Sequence, residues 1–353
     1  MESRKVYTIF APKFGKIGME SILITGASGF IGSFITEEAV RRGYAVWAGM
    51  RLSSSKRYLK DASIRFIELD YAHPEVLKEQ LKAHVAAHGA FDQIVHCAGV
   101  TKCADKADFE RVNYLHTRHF VEALRELHMV PKTFVYLSSL SIFGPIHEDT
   151  YAPITEADEP KPNTAYGVSK LKAERYLQEL ADFPFVILRP TGVYGPREKD
   201  YFLMAKSIKA HTDFSVGYKR QDITFVYVKD VVQAVFLAIE KSALRRSYFL
   251  SDGEVYQSRA FSDYIIQELG NPWVLRIKSP LWVLKVVSVV AEAWAKLWHT
   301  TSTLNTDKYK IMKQRNWRCD ITPAQQELGY KPQYQLERGV HETIAWYKEE
   351  GWL

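Results

Sequence analysis

Residues 22–32 read ILITGASGFIG, an apolar run that ends at a threonine and opens into three glycines spaced three apart. Ile22–Thr25 suits a short buried strand, and Phe30–Arg42 has helical periodicity. The glycines therefore sit where a strand turns into a helix. Gly26 permits the tight turn, Gly29 lets a pyrophosphate approach the backbone, and Gly32 lets the helix pack closely on the strand. The helix start adds N–H donors and a favourable dipole. A glycine triplet alone is weak evidence, but strand before and helix after are the context that gives it meaning. Gly26, Ser28, Gly29, Phe30, Ile31 and Gly32 are the expected dinucleotide contacts.

Outward from this turn, strand and helix patterns alternate. Tyr44–Ala48, Arg65–Leu69, Phe91–Ala98, Thr133–Leu137 and Phe185–Leu188 read as strands. Glu75–His88, Phe109–Leu127 and Ala165–Leu180 read as helices. This rhythm predicts an α/β protein with a Rossmann-type, doubly wound parallel sheet. We expect an N-terminal extension over residues 1–18 and a dinucleotide-binding domain over 19–190, to which 221–245 adds a strand (Thr224–Val228) and a helix (Val231–Glu240). Residues 191–220 and 246–353 form a smaller, mixed substrate-binding region; Ser247–Ser279 has no single pattern. The extension carries four basic residues and no signal-peptide core, and Met19 stands where a strand would begin. An ordered arm is the alternative.

A hydrophobic share of 46% and a charged share of 25% fit a soluble globular chain. The net charge of +6 is dispersed, which argues against a nucleic-acid partner and for a mildly anionic ligand or surface. Cys97, Cys103 and Cys319 form neither an even disulfide set nor a metal-type spacing, so a reducing cytoplasm is expected. His84 and His88, and His116 and His119, lack a nearby third ligand and read as solvent-facing side chains; no metal is expected.

At the second strand's end stands Gly49-Met50-Arg51 rather than an acid. An arginine there can pair with a 2′-phosphate, which favours NADP(H) over NAD(H). Asp70 is placed either to accept from the adenine amino group or to cap the helix after it. Val135-Tyr-Leu-Ser-Ser-Leu-Ser141 brings hydroxyls to a strand's C-terminal end, where such sheets bind ligands. Asn163-Thr-Ala-Tyr-Gly-Val-Ser-Lys170 puts Tyr166 and Lys170 four apart on one helix face. A phenol with a pKa near 10 exchanges protons poorly at neutral pH, and an adjacent ammonium favours its anion.

These fragments, with His96-Cys-Ala-Gly99, Asn113, Arg189-Pro-Thr-Gly-Val-Tyr-Gly-Pro196 and Phe225-Val-Tyr-Val-Lys-Asp230, occur in one order. Together they resemble the extended short-chain dehydrogenase/reductase superfamily, including the NAD-dependent epimerase/dehydratase proteins. The similarity runs from residue 21 through nearly the whole chain. It implies Tyr166 as acid/base and Lys170 as the residue that lowers its pKa and holds the nicotinamide ribose. Ser139 would hold the substrate oxygen, with Asn113 completing the catalytic set. Ala98, Gly99 and Pro190 would line the cofactor. Asp230 matches a family position and reads as the cap of the helix from Val231. A homodimer through the helices Phe109–Leu127 and Ala165–Leu180 is also implied.

Two departures concern the branch. Nucleotide-sugar members usually have asparagine where this chain has Gly192, and Arg-Asp where it has Ile223-Thr224. Arg220 or Arg197 could substitute. Thr191, Gly192, Arg197 and Ser139 are the expected substrate contacts. Trp317-Arg-Cys-Asp320 and Leu328-Gly-Tyr-Lys-Pro332 resemble instead the 3β-hydroxysteroid dehydrogenase and dihydroflavonol reductase branches. The expected function is hydride transfer between a nicotinamide and a hydroxyl or carbonyl carbon of a small, partly apolar molecule. A nucleotide-sugar epimerase or dehydratase is the alternative, and a non-catalytic dinucleotide sensor stands third. Leu281–Trp298 reads as an apolar helix with Lys285, Ser288, Glu292 and Lys296 on one stripe. Its charges argue against a transmembrane span. It is expected to wall the substrate pocket; peripheral contact with lipid is the alternative.

Overall fold

The computed structural model describes residues 19–298 and 305–353. The reading of residues 1–18 lies outside the described residues, as does the side chain of Lys296. Seven strands form one parallel sheet: β1 (Ser21–Thr25), β2 (Ala45–Met50), β3 (Arg65–Glu68), β4 (Gln93–His96), β5 (Thr133–Leu137), β6 (Phe185–Pro190) and β7 (Arg246–Leu250). Their order is β3-β2-β1-β4-β5-β6-β7, so the winding reverses between β1 and β4. That reversal opens a crevice at the strands' C-terminal ends.

Both faces of the sheet are covered, so its strands are buried at nearly every position except on the edge strand β3, where Arg65, Phe66 and Glu68 are exposed. On β1, Ile22 and Ile24 enter one core while Leu23 enters the other. The first core lies beneath the helices Phe30–Arg41 and Val228–Glu240. The second lies beneath Pro74–His88, His116–Glu126 and Ala165–Glu179. Each fully buried Leu or Ile contributes about 1.5–3 kcal/mol by leaving water. A third core joins Tyr194, Phe225, Phe261, Leu336 and Tyr347 in the C-terminal region.

Two elements differ from the sequence reading. The strand expected at Thr224–Val228 is Phe225–Tyr227, and it pairs with Gly192–Tyr194 in a separate two-stranded sheet. The seventh strand of the main sheet is instead Arg246–Leu250, inside the stretch without a pattern. Its sequence, RSYFL, has no β-branched residue; its place is set by pairing along β6 from Val186 to Pro190. The second difference is the helix Leu281–Leu297. It turns Leu284 and Ser288 inward and leaves Trp282, Val286, Val289, Val290 and Trp294 exposed. It does not wall the substrate cavity.

Candidate active site

The glycine turn is built as its spacing predicts. Gly26 has φ of +66°, and a Cβ there would lie 2.9 Å from the backbone of Cys97 and Ala98. A Cβ on Gly32 would lie 2.3 Å from the Gly26 carbonyl. Helix Phe30–Arg41 starts at Gly29 with no side-chain cap and no acid in its first turn. Its leading N–H groups are therefore open to an anion. The floor beside the turn is rigid: Thr25 Oγ1 accepts from the Ala98 N–H at 3.1 Å and meets His96 Nδ1 at 2.9 Å. Cys97 and Gly99 face the cleft, while Ala98 is spent on the Thr25 contact.

Across the crevice, Thr164 caps the helix Ala165–Glu179 by accepting from the Gly167 N–H at 3.0 Å. One turn on, Lys170 is buried and donates to the Leu137 carbonyl at the end of β5, 2.7 Å away. Burial lowers its pKa to about 8. Tyr166 opens partly onto the cleft, yet desolvation pushes its phenol up to about 12, and the Ser139 hydroxyl pulls it partway back. The Lys170 ammonium is turned to Leu137 and adds no downward shift to the phenol. Ser139 caps the 3-10 turn Leu140–Ile142, accepting from the Ser141 N–H at 3.1 Å.

Asn113 is fully buried in a π-helical stretch, Glu110–Leu115. Its side chain accepts from the Val100 N–H at 2.8 Å and donates to the Val100 carbonyl and to Ser169 Oγ, both at 3.0 Å. It ties the loop after β4 to the Tyr166 helix and does not line the cleft. A buried ion pair also holds that helix: Arg189 on β6 forks onto Glu174 at 2.6–3.2 Å.

The glycine turn, Tyr166, Lys170, Ser139, Pro190 and Thr191 line one cleft of about 660 Å³. A second cavity of about 350 Å³ continues from it past Ser139, Thr191 and Gly192, walled by Phe214, Ile223, Phe225, Phe261, Met312 and Trp317. Ser138 Oγ and Thr191 Oγ1 are buried without a hydrogen-bond partner. Orphaned hydroxyls in a cleft are groups that a ligand can satisfy. Lys308, on the helix Thr306–Lys313, lines both cavities, and no sequence motif marks it. Its neighbour Asp200 pairs with both Lys102 and Lys308.

The NAD-dependent epimerase/dehydratase family model matches residues 22–250. The chain belongs to the NAD-dependent epimerase/dehydratase family. A protein of Bacillus subtilis described as an uncharacterised UDP-glucose epimerase is 27% identical over 92% of this chain and 97% of its own. A decarboxylating sterol-4-α-carboxylate 3-dehydrogenase of Candida albicans is 23% identical over 94% of this chain and 99% of its own. Among solved structures, the UDP-glucose 4-epimerase of Thermotoga maritima has a TM-score of 0.74 at 21% identity, covering 94% of this chain and 99% of that one. The chain is accordingly an NAD-dependent oxidoreductase-type enzyme of this family.

The site fits the family's dinucleotide: the cradle excludes any Cβ, the helix start is uncapped, and two hydroxyls await partners. Other family positions behave differently from expectation. Arg197 leaves the cleft, donating to Ser33 Oγ at 2.9 Å and Glu37 Oε1 at 2.7 Å and covering the Phe34 and Tyr58 rings. It fastens the loop after β6 to the first helix and lines neither cavity. Arg220 forks onto buried Asp222, both bonds 2.7 Å, so it is no ready substitute either. Asp70 does not cap the next helix, whose N-cap is His73. It closes a local turn, accepting from the Ala72 N–H at 3.1 Å and meeting His73 Nδ1 at 2.9 Å.

Asp230 lies inside a helix that begins at Val228, where its carboxylate accepts from the N–H groups of Gln333 and Tyr334 at 2.9 and 3.1 Å. It ties down the Leu-Gly-Tyr-Lys-Pro turn instead of capping. Burial raises its pKa to about 6. His84 is not solvent-facing: it stacks on Phe91 at 4.2 Å and meets Trp47 edge-on. His119 Nδ1 meets the Tyr71 carbonyl at 2.9 Å.

Proposed function

We propose that the protein transfers a hydride between a nicotinamide and a hydroxyl or carbonyl carbon of a small, largely apolar substrate. The observation that carries this reading is the cavity beyond Ser139, whose wall is dominated by Phe214, Ile223, Phe225, Phe261, Met312 and Trp317. Gly192 supports it. A Cβ there would lie 2.9 Å from the Tyr201 hydroxyl and 3.4 Å from Phe225, so the space an asparagine needs is already filled by aromatic rings.

The nicotinamide ring, when bound, supplies or accepts the hydride. The first-turn N–H groups after Gly29 would hold the pyrophosphate. Lys170, fastened to Leu137, would donate to the ribose. Ser139 donates to the substrate oxygen, and the Tyr166 phenol, protonated at neutral pH, gives its proton to that oxygen as negative charge develops. Asn113 ties the Tyr166 helix to the loop after β4, and the Glu174–Arg189 pair ties it to β6. Arg51, exposed immediately after β2, favours a 2′-phosphate and hence NADP(H). Pairing of two chains through the helices that carry Asn113 and Tyr166 belongs to the same reading.

A second reading, nucleotide-sugar epimerisation or dehydration, draws on Lys308 at the cleft, which could meet a diphosphate. The test is turnover followed by reduced-nicotinamide absorbance, using hydrophobic ketones and sterol-type alcohols against UDP- and dTDP-sugars. Net oxidation or reduction of the apolar set supports the proposal. Epimerised or dehydrated sugar, with no net change in nicotinamide, selects the second reading.

A further inference from the structure

The helix Leu281–Leu297 is amphipathic in the reverse sense for a globular domain. Trp282 is 70% exposed, Val290 60% and Trp294 65%, and Trp298 beyond the helix end is 62% exposed. Its inward side carries Leu284, Ser288 and Glu292, the last paired with Lys106 at 3.1 Å and accepting from the Thr306 N–H. The parallel strand pair that leads into the helix, Leu275–Ser279 with Thr212–Val216, extends the surface: Phe214, Tyr218, Trp273 and Leu275 are exposed as well. A monomer rarely leaves so much contiguous apolar surface uncovered.

Charge identifies the occupant. Within 212–222 and 273–298 the described acids that could repel an anionic surface are paired: Asp213 with Arg259, Asp222 with Arg220, Asp263 of the neighbouring helix with Arg276, and Glu292 with Lys106. Lys219, Lys278 and Lys285 are exposed among the aromatic and valine side chains. Tryptophans with flanking lysines on an apolar face match the interface of a bilayer, where the rings sit among headgroups and the ammonium groups meet anionic lipid. A span is excluded on length, since 17 residues reach about 26 Å against a hydrocarbon core of about 30 Å.

We propose that this face, the exposed side of Leu281–Leu297 together with the strand pair before it, seats the protein on the surface of an anionic lipid bilayer. The placement is continuous with the cavity: Phe214 is both exposed on this surface and part of the cavity wall. Ile311 and Met312 of the helix packed beside Leu281–Leu297 also line the cavity. An apolar substrate could thus pass from lipid to the site without crossing water. The inference concerns binding and stands whatever substrate the site turns over.

The test is flotation of the full chain with vesicles of phosphatidylcholine alone and of phosphatidylcholine with phosphatidylglycerol. Expected is recovery with the anionic vesicles at least tenfold above that with neutral ones, reduced by high salt. Val286→Asp with Val290→Asp should abolish it while the circular-dichroism melt and reduced-nicotinamide binding stay unchanged. Should that pair disturb folding, Lys278→Glu with Lys285→Glu decides, by removing the preference for anionic vesicles. Absence of flotation with either vesicle overturns the proposal. So does a dimer in lipid-free solution that Val286→Asp with Val290→Asp dissociates, because the face would then belong to a second copy.

Discussion

The Tyr201 hydroxyl stands 2.9 Å from the point a Cβ on Gly192 would occupy, and the Tyr201 ring is stacked on Phe261 at 4.4 Å. Glycine at 192 and tyrosine at 201 are one device: the small residue gives up a side chain so that an aromatic wall can close over the cavity. Gly192→Asn should therefore displace Tyr201 and lower kcat/KM for an apolar substrate by about tenfold or more, the cost of a misplaced wall of roughly 1–3 kcal/mol. Tyr201→Ala in the same chain should recover part of the loss. Additive effects in the double-mutant cycle would show that the two positions do not share this space.

Tyr166→Phe removes the proton donor without changing the shape of the cleft. Turnover should fall by about 10²–10⁴, the usual contribution of positioned acid–base groups. Binding of reduced nicotinamide, read by fluorescence, should be retained. Lys170→Met should weaken that binding as well, because Nζ both faces the cleft and fastens it to the Leu137 carbonyl.

The Arg189–Glu174 pair is almost wholly buried, with side-chain exposures of 7% and 1%. Glu174→Ala leaves a guanidinium stranded between the Phe143 and Phe249 rings. Unfolding in urea should show a loss of about 3–5 kcal/mol. Glu174→Leu combined with Arg189→Met should lose less than either single change. A larger loss in the double variant would mean that the pair is a net source of stability.

Burial holds three histidines in the neutral form: His84 and His116 are lowered to about 4 and His96 to about 3. An unfolded histidine takes its proton near pH 6.5, so below that pH the unfolded chain binds more protons than the folded one. Stability present above pH 6.5 should thus fall as the pH drops toward 4. Asp230 and Asp252, raised by burial to about 6, act oppositely: their stabilising contribution is present at acid pH and is lost as the pH rises through 6. Urea midpoints at several pH values should show the histidine slope most clearly between pH 6 and 6.5. His84→Phe, in a site already built of Phe91 and Trp47, should flatten it by about one proton's share.

Arg51→Glu should weaken NADPH by about tenfold or more and leave NADH little changed, since it removes a partner of the 2′-phosphate and adds a repelling charge. Equal loss for both cofactors in binding titrations would assign Arg51 to the adenine or to the fold.

Much of the site was legible because its parts are local. The glycine turn depends on adjacent residues, and the Tyr166/Lys170 pair on one helical turn, so spacing alone carried them. The roles of Arg197, Asp230 and His84 are not legible in the sequence because a side chain's role depends on what folds over it. Arg197 had Ser33 and Glu37 within reach, 164 and 160 residues away in the chain. Asp230 found backbone N–H groups at Gln333 and Tyr334. Lys308 left no sequence signal because its place in the cleft comes from packing.

By itself the sequence determined the parallel sheet, the glycine turn and the placing of Tyr166 and Lys170 on one helix, since hydrophobic period, glycine freedom and helical pitch are properties of neighbours in the chain. Tertiary structure decided which polar groups remain available for chemistry and which are consumed in holding the fold. It also turned the Leu281–Leu297 helix outward. An apolar face is buried only where other elements cover it, and here the covered side is the one bearing Leu284, Ser288 and Glu292.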